Sequence, residues 1–149
     1  MRTFPYQSVI FDLDGTLIDS SPGILECLAY ALKEANLQPV IPLDNNLIGP
    51  PLRQTLMNLT GLPPGEAIEK LAITFRDIYD SEGYKSSPVY PGVEELLAKS
   101  NSLQIPMAIA TNKRRTPTLK ILDYLGWGKY FQIVGTLDDP CSRSADKTE

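Results

Sequence analysis

Asp12 and Asp14 stand two residues apart in Asp12-Leu13-Asp14-Gly15-Thr16, directly after the β-branched and aromatic run Ser8-Val9-Ile10-Phe11. In that arrangement Asp12 can attack phosphorus while Asp14 exchanges a proton with the departing or incoming oxygen, which splits one hard displacement into two easier ones. Gly15 allows the chain to leave the strand pleat, so that both carboxylates serve one site. A hard divalent cation, Mg2+, suits the cluster because carboxylate and phosphate oxygens both satisfy it. The plainer reading is a strand-to-turn junction that uses Asp and Gly for capping. Average residue usage produces this four-residue pattern by chance in roughly one chain in a thousand of this length, which weighs against it.

The 149 residues include no histidine, so a Ser-His-Asp triad, a Cys-His pair and a zincin site are excluded. Acid–base work falls to carboxylates, lysine or tyrosine. Neither Gly-x-x-x-x-Gly-Lys-Ser/Thr nor Gly-x-Gly-x-x-Gly is present, which disfavours the two commonest nucleotide-binding loops. Fourteen basic against eighteen acidic residues, with no long basic run, removes the electrostatic footprint of a nucleic-acid binder. Cys27 and Cys141 lack metal-ligand spacing and read as structural thiols in a reducing compartment. With no apolar stretch of membrane-spanning length and no signal-peptide pattern, the expected address is the cytoplasm, without a membrane partner.

The elements that must position the two carboxylates follow from periodicity. The run ending at Phe11 reads as a buried parallel strand whose C-terminal end carries a site. Ser21-Pro22 opens a helix through Ile24, Leu28, Ala31, Leu32 and Ala35. A second short helix carries Leu52, Leu56 and Leu59 and stops at Gly61, and a third carries Ile68 to Tyr79 and ends near Gly83. From Tyr90 a proline-led helix precedes the strand Met107-Ala108-Ile109-Ala110, a helix opens at Thr116-Pro117 and closes at Gly126, and a strand runs from Phe131 to Val134. The expected architecture is α/β: a Rossmann-like core of residues 1–16 and 85–149 with a parallel sheet, and a helical cap of residues 17–84 over the strand ends. Thr111 and Asn112 follow the second core strand, where a hydroxyl and loop amides can receive a phosphoryl oxygen.

Taken together, these runs resemble the haloacid dehalogenase superfamily over nearly the whole chain. Asp12-Leu13-Asp14-Gly15-Thr16-Leu17 is similar to its first motif, and Thr111 with Asn112 to its second. The cap, Ile48-Gly49-Pro50-Pro51-Leu52 and Tyr90-Pro91-Gly92-Val93 resemble the phosphoglycolate phosphatase-like branch. The resemblance implies Mg2+ held by Asp12 and the backbone carbonyl of Asp14, and an aspartyl-phosphate hydrolysed by water. It implies a third-motif lysine, for which Lys147 is the candidate, whereas Lys113 and Arg114 are expected to stay solvated. Arg53, at the start of a cap helix, is a candidate to grip a substrate carboxylate. The family's fourth motif, an acidic pair on a further strand, is absent. Asp138-Asp139 precede the lysine and are not assigned that role, so the expectation is a truncated or unusually short member with an incomplete sheet. The function expected is Mg2+-dependent hydrolysis of a small phosphorylated metabolite, phosphoglycolate-like in class. The alternatives are a sugar-phosphate mutase on the same core and a catalytically incapable remnant acting as a binding module.

Overall fold

The structure is a computed structural model that describes residues 7–139. It divides into two units, one formed by the residues up to Asp19 together with those from Pro88 onward, the other by Ser20–Ser87. No described helix is long and apolar enough to cross a membrane.

The first unit holds three short parallel strands in the order β1 (Val9–Phe11), β2 (Met107–Ala110) and β3 (Phe131–Gly135). Helix α4 (Val93–Ser102) leads into β2, and α5 (Arg115–Leu125) connects β2 to β3. The alternation of parallel strands and helices is the Rossmann-like α/β class expected. At the start of the β2–β3 pair the register slips. The Gln132 side chain fills the gap, its Oε1 accepting from the Met107 amide at 2.9 Å.

Strand β1 departs from the expectation of burial on both faces. Ile10 is 69% exposed and so is Ile133 at 68%, while Met107 and Ile109 between them are buried. Right-handed crossovers that advance through the sheet in one direction put their helices on the same face. Helices α4 and α5 therefore cover the Met107–Ile109 side, and the row Ile10, Ala108 and Ile133 lies on the other.

The second unit is helical: α1 (Ser21–Glu34), α2 (Leu52–Thr60) and α3 (Glu66–Ser81). Leu28 and Leu32, Leu56 and Leu59, and Ile68, Leu71 and Phe75 meet in one core. Each such side chain contributes about 1.5–3 kcal/mol when fully withdrawn from water. Its ends fall three residues later than periodicity suggests. Residues 17–19 belong with the sheet because Ile18 bridges to Asp14 and Val89, and because the Asp19 amide donates to the Pro88 carbonyl at 2.8 Å. Residues 85–87 belong with the helices, since the Ser86 amide and the Ser87 hydroxyl donate to Gly83 and Tyr84 carbonyls. Cys27 is buried in this unit, and burial, aided by the Glu26 charge, pushes its thiol up to about 11. It is a structural thiol, as expected, whereas Cys141 lies outside the described residues.

The first turn of α1 lies against the turn Gly83–Lys85 without room for side chains. A Cβ added at Gly23 would collide with the Gly83 carbonyl oxygen, and one at Gly83 with the Cys27 sulfur. Both obstacles lie inside the packed unit. Gly23→Ala should therefore destabilise the protein by about 1–3 kcal/mol, the usual cost of overpacking. Gly128→Ala, where a Cβ meets open space, should shift stability by less than about 0.5 kcal/mol. Urea unfolding of the two variants side by side checks the difference.

Candidate active site

The strand ends assemble the site. Because the three strands are parallel, Asp12, Thr111 and Thr136 all follow C-terminal ends, the side of such sheets where ligands bind. Phe11 pairs with Ile109, so the next pair in register brings Asp12 level with Ala110, one residue before Thr111.

Past the end of β1 exposure still alternates from residue to residue. Residues two apart in extended chain share a face. Asp12 is exposed and Asp14 half-buried, while Leu13 between them is fully buried and anchors the turn. Gly15 acts after them. Its φ of +77° suits glycine, its amide donates to the Ile18 carbonyl at 2.8 Å, and the Leu13 carbonyl accepts from the amides of Thr16, Leu17 and Ile18. Leu17 and Ile18, both buried, pin the far side of this turn. Oδ1 of Asp12 accepts from the Leu13 amide at 2.9 Å, which orients that carboxylate.

Lys113 contradicts the expectation that it stays solvated. Its side chain is only 9% exposed, and Nζ lies 3.1 and 3.3 Å from the two carboxylate oxygens of Asp14. The lysine stem is withdrawn from water while its head meets the Asp14 carboxylate. The backbone explains why this side chain turns inward. Thr111 is buried, its amide extends the ladder to the Gly135 carbonyl, and its Oγ1 accepts from the Lys113 amide at 3.1 Å. That tight turn returns Lys113 toward the strand ends and leaves Asn112 exposed at its tip.

Asp138 and Asp139 also have defined partners. Asp138 Oδ1 accepts from the Arg115 amide at 2.7 Å, and Asp139 accepts from the Thr136 amide at 2.8 Å and from the Arg115 guanidinium at 3.1 Å. The Thr136 amide, assisted by Arg115, holds the Asp139 carboxyl below the usual carboxylate range. Neither acid is placed with Asp12 and Asp14, and no group of three acids, cysteines or histidines able to hold a metal occurs among the described residues. The oxygen donors at the end of β1 fit Mg2+ in kind. With its carboxylate engaged by Lys113, Asp14 has its main-chain carbonyl to offer beside the Asp12 carboxylate. Mg2+ keeps several waters where protein ligands are few.

Of the remaining candidates, Lys147 lies outside the described residues. Arg53 is in the helical unit, where Nε and Nη2 grip both oxygens of Glu69 at 2.6 and 2.9 Å on an exposed surface.

The Lys113–Asp14 pair should show as coupling. Lys113→Met leaves a half-buried carboxylate without its cation and should cost about 1–3 kcal/mol, much of it recovered in the double variant with Asp14→Asn. A double-mutant cycle in urea measures this, and additive losses would mean that the two side chains do not interact in solution.

The haloacid dehalogenase-like hydrolase family matches residues 9–143. The chain is 32% identical over 140 residues to the tyrosine-protein kinase PtkA of Mycobacterium tuberculosis, covering 93% of this chain and 47% of that protein. It is 35% identical over 137 residues to the phosphoglycolate phosphatase of Photobacterium profundum, covering 85% and 59%. A haloacid dehalogenase-like hydrolase from Streptococcus pneumoniae superposes with a TM-score of 0.74 at 26% identity, over 90% of this chain and 62% of that one. The chain thus spans about half to three-fifths of the length of these relatives. On the family match across most of its length, with the paired aspartates and the threonine at adjacent strand ends, the chain belongs to the haloacid dehalogenase-like hydrolases.

Proposed function

We propose that this chain carries the phosphoryl-transfer site of a phosphatase acting on small phosphate monoesters, in which Asp12 is the nucleophile. The observation that carries the reading is the placement of Asp12 and Thr111 at the same end of neighbouring strands, with the residues two further on, Asp14 and Lys113, paired to each other. Relatives named phosphoglycolate phosphatase support a small, carboxylate-bearing ester.

In the first step an Asp12 carboxylate oxygen attacks phosphorus, the ester P–O bond breaks, and Asp14 delivers a proton to the leaving alkoxide. In the second, Asp14 takes a proton from water as the water oxygen attacks phosphorus and the acyl-phosphate P–O bond breaks, restoring Asp12. The Thr111 hydroxyl already accepts from the Lys113 amide, so its hydrogen is the group it offers a phosphoryl oxygen. Lys113 adds positive charge where the equatorial oxygens accumulate negative charge. Mg2+, held by the Asp12 carboxylate and the Asp14 carbonyl, would neutralise phosphate charge. Lys147 and the Asn112 amide are the further phosphate contacts on this reading.

A second acceptor is favoured by the likeness to a protein named a tyrosine-protein kinase. On that reading a tyrosine hydroxyl replaces water in the second step. Incubation with γ-labelled ATP and a tyrosine peptide, beside phosphate release from a generic ester, separates the two.

Asp12→Asn should abolish turnover and covalent labelling by radioactive phosphate while leaving the fold intact, since the amide keeps the shape and loses the nucleophile. Asp14→Asn should slow both steps by about a hundredfold or more. Normal phosphate release from the Asp12→Asn protein would sink the assignment. For the cap, Arg53→Ala should raise KM for carboxylate-bearing phosphates more than for neutral ones, because a guanidinium fork recognises only the former. Equal effects on both ester classes would assign Arg53 to its Glu69 pair alone.

A further inference from the structure

Helix α5 begins without a cap of its own. Arg114, in the N-cap position, makes no side-chain hydrogen bond to the first turn, and the residues of that turn include no acid. The four leading amides of a helix need acceptors, and a negative charge near them is favoured by the helix dipole. The acceptor for the first of them comes from twenty-three residues away, where Asp138 Oδ1 meets the Arg115 amide at 2.7 Å. Asp138 Oδ1 is itself held by the Thr136 hydroxyl at 3.2 Å. Three further contacts tie the same two segments. The Leu137 amide donates to the Lys113 carbonyl at 3.1 Å, and Arg115 Nη1 donates to the Asp139 carboxylate at 3.1 Å and to the Val134 carbonyl at 3.3 Å.

Lys113 is therefore gripped at three atoms. Its carbonyl is fixed by Leu137, its amide by the Thr111 hydroxyl, and its ammonium by Asp14. A segment that holds the lysine backbone sets where the ammonium can reach. We propose that Asp138 is a positioning residue. By closing segment 136–139 on the start of α5, it fixes the turn 111–115 and so places Lys113 against Asp14 and the phosphoryl group. Asp138 is itself exposed, which separates this role from a packing role: its removal costs the fold little and the geometry of the turn more. In function the inference rests on the phosphatase reading, because a phosphoryl group is what Lys113 would meet.

The test compares Asp138→Ala with Asp138→Asn, whose amide oxygen can still accept from Arg115. Three readouts are taken on the same protein: amide hydrogen exchange at Arg115, the 15N signal of the Lys113 ammonium, and the KM for a generic aryl phosphate with inhibition by inorganic phosphate. Asp138→Ala should speed Arg115 exchange at least tenfold and broaden or shift the Lys113 signal. It should raise KM and the inhibition constant of phosphate roughly three- to tenfold, with the melting temperature little changed. Asp138→Asn should return all of these most of the way to wild type. Unaltered Arg115 exchange, or released exchange with an unaltered Lys113 signal, overturns the proposal, as does failure of Asn to rescue. A wild-type protein that neither releases nor binds phosphate overturns the phosphatase reading instead, and the exchange and ammonium signals then still decide the role of Asp138.

Discussion

Asp14, two residues past Asp12 and beyond the end of β1, carries a half-buried carboxylate, and a carboxylate drawn partly out of water needs a cation beside it. Here that cation is Lys113, which arrives from a different strand end nearly a hundred residues later in the chain and is almost withdrawn from water. The turn after β2 is shaped around this requirement. The Thr111 hydroxyl receives the Lys113 amide, Asn112 is left at the tip, and the lysine turns back toward β1. Segment 136–139 then closes on the same turn from the side of β3. All three strands thus contribute to one electrostatic arrangement, although each is only three to five residues long.

The site was legible in the sequence wherever a residue's meaning depended on its immediate neighbours. Asp12, Asp14 and Gly15 sit together after a β-branched run, and Thr111 follows an apolar run, so their places at strand ends could be read from spacing alone. The α/β order and the helical insert were legible for the same reason, since Leu28 and Leu32, Leu52 and Leu56, and Leu71 and Phe75 are each spaced so that a helix brings them to one side. Lys113 was not legible because a lysine in a turn is ordinarily solvated. The Thr111 turn directs it inward and Asp14 receives it there, and the distance of Asp14 in sequence hides the pairing. Asp138 and Asp139 were hidden in the same way. Asp138 accepts from the Arg115 amide and Asp139 from the Thr136 amide, and a backbone group carries no mark in a sequence. Ile10 misled in the opposite direction: an isoleucine in a strand reads as buried, but which face of a sheet is covered depends on the direction in which the crossovers travel.

Glycine serves two different ends in this chain, and the contrast bears on what each position tolerates. In the sheet unit Gly15 terminates a turn with empty space around it, so its role is conformational. In the helical unit Gly23 and Gly83 have ordinary backbone angles and no space, so their role is steric. The first kind constrains a dihedral angle at the site. The second permits α1 to lie against the turn that closes the insert, with Cys27 filling the remaining gap.

The hydrogen bond between the Asp19 amide and the Pro88 carbonyl has a bearing on how the chain reaches its native state. Pairing β1 with β2 joins Val9 to Met107 across the whole insert, whereas β2 and β3 are joined across α5 alone. Closing a flexible loop about four times longer costs roughly 1 kcal/mol more in chain entropy, and such distant contacts slow the search. An insert that has already collapsed on its own apolar core, with the flanking Asp19 and Pro88 joined by their 2.8 Å hydrogen bond, removes most of that span. What remains to be closed is a loop of roughly thirty residues, comparable to the one around α5. The order of events this favours is insert first and first strand last, so that the end of β1 that leads into Asp12 is among the final parts of the sheet to be set in place.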